Sequence, residues 1–336
     1  MTRDLLFNDK LPNTSGFGTV DKNVGKVRFW GYEVQADWNI FAGKDFSWNV
    51  GGNISYNMNK VLKLPENGNY KNRMNGTLFA DDYYAGIGGI AEGERLYSVI
   101  GYKVSHILDN DKAASEAMYD ERAAGYDPTT QTYEKGRKVA GDYEWVDKDG
   151  SGTITAKDQF VLGYLVPTTT GGFNTTVKIK DFEIYASFDY ALGHVIYDRQ
   201  ISLVNSGAQS GYLNPTKDVL NYWSASGDAA KTRYARFDVE DGSDNGQWNH
   251  YRTSDENTYK GDYLSFRELK VSYNFPRTIL NKTQIKAAQV YFSGQNICCF
   301  SQYPGYMTEY SSASRNLSDG NYPQPRIWTL GLNLTF

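Results

Sequence analysis

The chain has 336 residues, 15% of them aromatic, with 33 glycines and only 9 prolines, a composition that favours strands and tight turns. Its 35 basic and 39 acidic residues give a net charge of −4 without a basic stripe, which excludes a nucleic-acid partner. The mean hydropathy of −0.59 is typical of soluble proteins, and no apolar run approaches the ~18 residues of a membrane-spanning helix. Strands that cross a membrane are compatible with this low mean hydropathy, because only every second side chain of such a strand faces lipid.

The first residues carry no recognisable export signal. Met1 is followed by TRDLLF, which has neither an apolar core region nor a small-residue cleavage site. We therefore expect either a cytoplasmic protein or a sequence whose start is missing.

Strict alternation of apolar and polar residues marks two long strands early in the chain. Over residues 30–40 and 46–58 the even positions are apolar or aromatic, with one glycine, and the odd positions are polar or glycine. This period of two predicts a two-faced sheet. The pattern recurs over residues 173–179, 182–192, 269–275, 288–292 and 328–336. About eight strands can be counted if residues 3–8 form the end of another.

The soluble alternative is a β-sandwich or small barrel, whose strands also alternate. Three features favour a membrane barrel instead. Strands of about 11–13 residues can cross an apolar band ~25 Å tall, aromatic residues gather near strand ends, and short connections alternate with long ones. We expect the long connections, residues 60–167, 201–261 and 301–325, to be extracellular loops. Loops of this length suit a large barrel of about 22 strands better than a small one.

Short phrases stand out along the whole chain. They are residues 4–7 (DLLF), 11–17 (LPNTSGF), 23–27 (NVGKV), 31–33 (GYE), 97–103 (YSVIGYK), 163–167 (GYLVP), 171–173 (GGF), 261–267 (GDYLSFR), 293–296 (SGQN), 303–306 (YPGY) and the ending from 322 (YPQPR) to 336. In this order they resemble phrases of the SusC/RagA family of TonB-linked outer-membrane proteins, also called TonB-dependent receptors. Each phrase is weak alone, and their shared order is specific.

The resemblance implies the C-terminal part of an antiparallel transmembrane β-barrel in the cell outer membrane. It further implies an importer of large nutrients, glycans or peptides, that works with a SusD-like lipoprotein and is opened by TonB. A plug domain and a TonB-contact segment, which the family requires, are not among these 336 residues. We therefore expect the chain to be part of a larger protein and to lack transport activity alone.

The last strand is similar to the signal that the outer-membrane assembly machinery reads. Apolar residues occupy alternate positions up to a terminal phenylalanine, namely Trp328, Leu330, Leu332, Leu334 and Phe336. The alternative is an ordinary amphipathic edge strand, which would expose a soluble protein to aggregation.

Residues 147–158 (DKDGSGTITAKD) match the calcium-loop pattern. Oxygen ligands fall at Asp147, Asp149 and Ser151, a carbonyl at Thr153, and an acid at Asp158, with glycine at the sharp turn. Two residues depart from the pattern, because Ser151 replaces Asp or Asn and Asp158 replaces the longer Glu. The alternative is a solvated turn rich in Asp and Gly. The resembled family often carries a similar loop here, which implies a structural calcium ion.

Aromatic residues in the long connections are candidate sugar-stacking groups, since flat apolar faces with polar rims suit carbohydrates. The alternative is that they pack the loops or contact the lipoprotein. The candidates are Tyr83, Tyr84, Trp223, Trp248 and Tyr251.

Two other functions are alternatives to transport, namely glycan binding and catalysis. A surface or secreted glycan-binding β-protein would need no transport activity and would purify from the soluble fraction. An enzyme would need a catalytic constellation, and neither the three isolated histidines nor any carboxylate pair provides one. We expect no catalytic residues and no enzyme activity.

Overall fold

The computed structural model describes residues 2–10, 14, 16, 19–67, 70–74, 89–127, 132–198, 201, 216–237, 252–281, 283–305 and 324–336. Its strands, in chain order, are β1 (Thr2–Lys10), β2 (Thr19–Ala42), β3 (Phe46–Lys63), β4 (Ser98–Gly101), β5 (Val104–Ile107), β6 (Tyr119–Asp120), β7 (Ala124–Asp127), β8 (Thr132–Lys135), β9 (Tyr143–Trp145), β10 (Thr153–Ile154), β11 (Phe160–Tyr164), β12 (Thr169–Ile179), β13 (Phe182–Leu192), β14 (Val195–Tyr197), β15 (Thr258–Lys260), β16 (Tyr263–Asn274), β17 (Ala287–Ser301) and β18 (Ile327–Thr335).

The helical elements whose bounds the structure describes are short, of three to five residues each. The helices are α1 (Asp111–Ser115) and α2 (Arg277–Leu280), with 3₁₀ turns at Tyr70–Asn72, Ala156–Asp158, Lys217–Asn221 and Asp255–Asn257. Among the described residues, none of these is long and apolar enough to span a bilayer. The prediction of a mostly antiparallel all-β chain is confirmed.

Eight strands form one large sheet in the order β1-β2-β3-β12-β13-β16-β17-β18. Every neighbouring pair is antiparallel. Within the described residues the two outer strands, β1 and β18, each pair on one side only, so the sheet is open at both edges. The ten short strands form five separate two-stranded ladders between the long strands.

Several strands are longer than the alternation predicts. β2 has 24 residues and β17 has 15, whereas the sequence pattern marks only 11 and 5 of them. Hydrogen bonding to neighbours extends each ladder past the point where alternation ends. In β17 the alternation is also broken by a register shift against β16, between the pairs Phe266↔Cys298 and Glu268↔Gln295.

One face of the large sheet is apolar and exposed; we call it the apolar face. Its side chains in β2, such as Tyr32 (73% exposed) and Trp38 (70% exposed), are not covered by a second sheet in the described structure. Near the β2–β3 turn, one aligned row of apolar side chains crosses six strands: Phe46, Ile179, Phe182, Tyr273, Val290 and Leu332.

The opposite, polar face carries amides and hydroxyls that bond across strands. Asn49 donates to the Asn39 side chain at 2.9 Å, and Gln289 donates to the Asn274 side chain at 2.9 Å. The two faces therefore suit different surroundings, one apolar and one aqueous.

Short turns gather at one end of the sheet. β2 and β3 are joined through residues 43–45, and β12 and β13 through Lys180-Asp181, where Lys180 adopts φ 53°. The Lys180 N–H donates to the Asp45 carbonyl at 2.8 Å, so these two turns are neighbours. The long connections leave from the opposite end.

The described parts of residues 64–168 and 193–262, which connect the long strands, pack together into what we call the loop body. Its largest core cluster unites both segments and consists of Tyr102, Ile107, Tyr143, Trp145, Ile154 and Ala235. Arg252 lies in this core, 4.9 Å from the Tyr102 ring centre and 4.8 Å from that of Trp145. Its guanidinium donates two hydrogen bonds to the buried Asp120 carboxylate, at 2.9 and 3.3 Å.

Removing one partner of this ion pair should destabilise the loop body. We expect Arg252→Met to lower its free energy of unfolding by about 3–5 kcal/mol, because Asp120 would be left as an uncompensated buried charge. Native-state proteolysis at rising urea measures this change. Lys112→Met is the control, since the Lys112–Glu116 pair is 4.0 Å apart and exposed and should change stability by less than about 0.5 kcal/mol. Equal midpoints for the two variants would contradict the expectation.

Candidate functional site

The acidic loop at residues 147–158 lies between β9 and β11. The Asp147 carboxylate accepts hydrogen bonds from the backbone of Gly150 (2.8 Å), Ser151 (3.2 Å) and Gly152 (2.8 Å). Both glycines adopt positive φ, 72° and 77°, which lets the chain wrap around the carboxylate. These backbone N–H groups, that of Gly152 foremost, lower the pKa of Asp147 and keep it ionised.

Asp158 closes the loop from beneath and is fully buried. One carboxylate oxygen accepts from the Lys148 N–H at 2.9 Å, and the other accepts from the Thr155 N–H at 2.7 Å. It also completes a capping box with Thr155 on the Ala156–Asp158 turn. Asp158 is therefore a structural anchor of the loop as well as a candidate ligand.

The predicted ligand residues fit a calcium ion. Asp147, Asp149 and Asp158 each offer a carboxylate oxygen, and these atoms all lie within 4.8 Å of one another. Ca²⁺ binds oxygens at about 2.3–2.6 Å, so ligands on opposite sides of the ion are up to ~5 Å apart. The Ser151 hydroxyl donates to the Thr153 carbonyl at 3.0 Å, which brings the two remaining predicted ligands together. All five residues lie in one loop, and their role as calcium ligands stays a prediction.

The loop is joined directly to the core of the loop body. Its residues Thr153–Ile154 pair in parallel with Tyr119–Asp120, and the Ile154 side chain is 1% exposed within the core cluster. Asp120 in turn holds Arg252. Because Ile154 pairs directly with Asp120 in this ladder, a conformational change in the acidic loop would displace one partner of the buried ion pair.

Of the predicted sugar-stacking aromatics, only Trp223 lies among the described residues. Tyr83, Tyr84, Trp248 and Tyr251 lie outside them. Trp223 is half-buried and packs against the core cluster, and its ring closes over Gly141, where a Cβ would meet the indole at 2.2 Å. This position favours the packing alternative for Trp223. A ligand role for the other four residues stays a prediction.

The candidate assembly residues all lie on the apolar face at the edge strand β18. Leu330 is 78% exposed, and Trp328 stacks on Phe292 of the neighbouring strand with ring centres 5.5 Å apart. All five residues are exposed: Trp328, Leu330, Leu332, Leu334 and Phe336.

A polar cluster centred on Arg267 is not among the sites predicted from the sequence. Its guanidinium binds Asp189 of β13 through two nitrogens, one of them at 3.0 Å, and donates to the side chains of Asn296 (3.3 Å) and Gln324 (3.2 Å). Both ladders of β16 shift register at this residue. A signal was present in the sequence, because the apolar phase of β16 changes from even at Phe266 to odd at Leu269.

In the described part of the chain, the charged groups of these sites form ion pairs, an oxygen-rich loop and inter-strand contacts. Buried His194, whose pKa is lowered by desolvation, lies against Gly261, where a Cβ would meet its ring at 2.4 Å.

Comparison with known proteins finds relatives over the full chain. No protein-family profile matches. TonB-dependent receptor P3 of Formosa agariphila is 28% identical over 353 aligned positions, which cover 100% of this chain and 31% of the relative. TonB-dependent receptor SusC of Bacteroides thetaiotaomicron is 23% identical over 339 positions, covering 100% of this chain and 29% of the relative. The chain thus spans about a third of the length of the curated relatives it matches.

Solved structures show the same fold. The RagAB peptide transporter superimposes with a TM-score of 0.69 at 22% identity, covering 99% of this chain and 32% of that one. The RagAB peptide importer in its open-open state gives 0.68 at 21% identity, with 99% and 31% covered. These named relatives are receptors and transporters rather than enzymes.

The order of the phrases, the two-faced antiparallel sheet and the full-chain matches agree with one another. They confirm the predicted resemblance of this chain, over its full length, to part of the SusC/RagA type of TonB-dependent receptor.

Proposed function

We propose that the chain forms part of the wall of an outer-membrane barrel through which a TonB-dependent importer takes up large nutrients. The observation that carries this proposal is the apolar face, an exposed sheet surface that suits lipid and not water. The eight strands would belong to a larger barrel of about 22 strands. Further strands would pair with the open edges of β1 and β18.

The lengths of the connections suggest which end of the sheet would face which side of the membrane. In bacterial barrels short turns face the periplasm and long loops face outward. The turns at residues 43–45 and Lys180-Asp181 would therefore be periplasmic. The connections at 60–167, 201–261 and 301–325 would be extracellular, so the loop body would lie above the membrane. The Trp328–Phe336 strand would carry the signal for the outer-membrane assembly machinery.

The names of the relatives support the proposed partners. The receptors named TonB-dependent support TonB as the partner that would supply energy, and its contact segment and the plug would lie outside these residues. The SusC and RagAB likenesses support a SusD-like lipoprotein as the cap. The substrate would be a glycan or a peptide. RagAB is described as a peptide transporter, whereas a sugar-stacking role of Tyr83, Tyr84, Trp248 and Tyr251 would favour a glycan.

We also propose that the loop at residues 147–158 binds a structural calcium ion through Asp147, Asp149, Ser151, Thr153 and Asp158. The ion would neutralise three carboxylates that lie within 4.8 Å of one another. It would stiffen the extracellular loop body through the Thr153–Ile154 ladder.

Calcium should stabilise the loop body, and Asp149→Asn should weaken that effect. Calcium at 100 times its dissociation constant would add about 2.7 kcal/mol to the free energy of unfolding. Asp149 is the informative residue because its side chain is exposed and its carboxylate accepts one bond within the loop, from the Ser151 N–H at 3.1 Å. We expect Asp149→Asn to raise the calcium concentration needed for protection from proteolysis about tenfold or more.

Asp111→Asn is the matched control, since Asp111 is an exposed aspartate at the start of α1, outside the loop. It should leave the calcium response unchanged. Equal stability of the unmodified protein with calcium and with a chelator would refute calcium binding.

A charge on the apolar face should block assembly into the outer membrane. Phe173 is in the middle of β12, 41% exposed on the apolar face, and neighbouring Asn174 points to the polar face. We expect Phe173→Arg to cost about 2–4 kcal/mol at the bilayer midplane, whereas Asn174→Arg should cost little. The amount of heat-modifiable, protease-resistant protein in the outer membrane measures both. Similar losses for the two variants would contradict a lipid-facing apolar face.

The intact mass of the native polypeptide tests the proposed function as a whole. Outer membranes are extracted with detergent, and the intact mass of the polypeptide containing these peptides is measured. A mass far above 37.9 kDa is expected, because the remaining strands and the plug would be part of the same chain. Recovery of a 37.9 kDa chain from the soluble fraction would favour the alternative, a surface or secreted glycan-binding β-protein without transport.

A further inference from the structure

A cavity of about 340 Å³ opens on the surface of the loop body, away from the acidic loop. Its floor is apolar and consists of Ile107 and the buried ring of Tyr143. The Tyr143 ring is fixed from behind by Trp145, with ring centres 5.5 Å apart. The volume is at the lower end of the ~300–1,000 Å³ range of small-molecule sites, which suits one aromatic or branched aliphatic group.

One wall of the cavity is held in place by hydrogen bonds. Ala229 and Ala230 line it, and the segment that carries them is tethered by the Asp109 carboxylate. Asp109 accepts from the Ala229 N–H at 3.0 Å and from the Gly227 N–H at 2.8 Å, and these bonds lower its pKa. The cavity is therefore pre-formed, and a ligand would not bear the cost of ordering it.

The rim carries a guanidinium with two unused donor groups. Arg233 lines the cavity and uses Nε to bind the Glu256 carboxylate at 3.3 Å, while in the described structure neither Nη atom has a hydrogen-bond acceptor. His106 also lines the cavity, and its Nδ1 is 3.1 Å from the Ser105 hydroxyl, which leaves Nε2 for a ligand. A guanidinium edge with two adjacent donors matches a carboxylate. The apolar floor and the Nη groups of Arg233 together favour a ligand that has an apolar body and a carboxylate.

We propose that this cavity binds a small carboxylate with an apolar body, of which the C-terminal residue of a peptide is the most common form. The aromatic or aliphatic side chain would lie on Tyr143 and Ile107. The carboxylate would accept hydrogen bonds from Arg233 and His106. The proposal rests on the cavity alone and holds whether or not the barrel wall is part of an importer.

The test compares a ligand with and without its charge. The full-length protein in lipid nanodiscs is titrated with N-acetyl-phenylalanine, with its C-terminal amide, and with a tripeptide ending in phenylalanine, and binding is followed by isothermal calorimetry. We expect the free acid to bind about tenfold or more tightly than the amide, because hydrogen bonds to a charged group are worth that factor. The tripeptide should bind at least as well as N-acetyl-phenylalanine if a peptide terminus is the natural ligand, whereas preference for the single residue would indicate a free small carboxylate.

Two variants separate the contributions of charge and shape. Arg233→Gln should abolish the preference for acid over amide, and Ala230→Trp should fill the cavity and abolish binding of both. Lys231→Gln removes a charge from the adjacent exposed residue, which does not line the cavity, and should change neither. Absence of saturable binding by the unmodified protein, or equal effects of Arg233→Gln and Lys231→Gln, would overturn the proposal.

Discussion

Everything in the large sheet depends on alternation, which forces each strand to present one apolar and one polar face. Cross-strand register makes the alternation collective, because residues such as Phe173, Phe188 and Phe266 align on three neighbouring strands with stacked rings 4.5–4.7 Å apart. The result is a continuous apolar surface without protein cover in the described structure. Such a surface is costly in water, so the same property that forms the sheet also specifies its surroundings.

The loop body follows different rules, because it has a core of its own. There the long connections are held together by aromatic packing and buried ion pairs and not by strand alternation. Arg252 joins the segment before β16 to the segment before β12, through Asp120 and the rings of Tyr102 and Trp145. A second buried pair, Lys138–Glu144, and a third, Arg73–Glu94, follow the same pattern. Each is fixed in place because an unpaired charge at such depth would be more costly than the pair. The acidic loop and the cavity over Tyr143 both contact this core, so both depend on its integrity.

The register shifts at Arg267 show how a bulge joins neighbouring strands of the large sheet. An extra residue in β16, relative to β13, turns the Arg267 guanidinium toward Asp189 on the polar face. The guanidinium also donates a hydrogen bond to the side chain of Asn296 in β17, which adopts φ 53°. Asn296 also donates to the Pro325 carbonyl at 3.2 Å, so the start of β18 is held by the same cluster. Bulges are used in this way to re-aim a side chain.

Local patterns in the sequence were enough to identify the strands of the sheet and the acidic loop. Period-two alternation concerns neighbouring residues, and the oxygen ligands at 147–158 lie within twelve positions, so both can be read along the chain. The family resemblance was likewise visible in the sequence, as short phrases in a shared order. The extent of β17, the Arg267–Asp189 pair, the Asp120–Arg252 pair across 132 positions and the cavity wall tethered by Asp109 were decided only by the tertiary structure. Each of these joins residues far apart in the chain, and the free energy that fixes them comes from burial and hydrogen bonds that exist only after the segments have packed together.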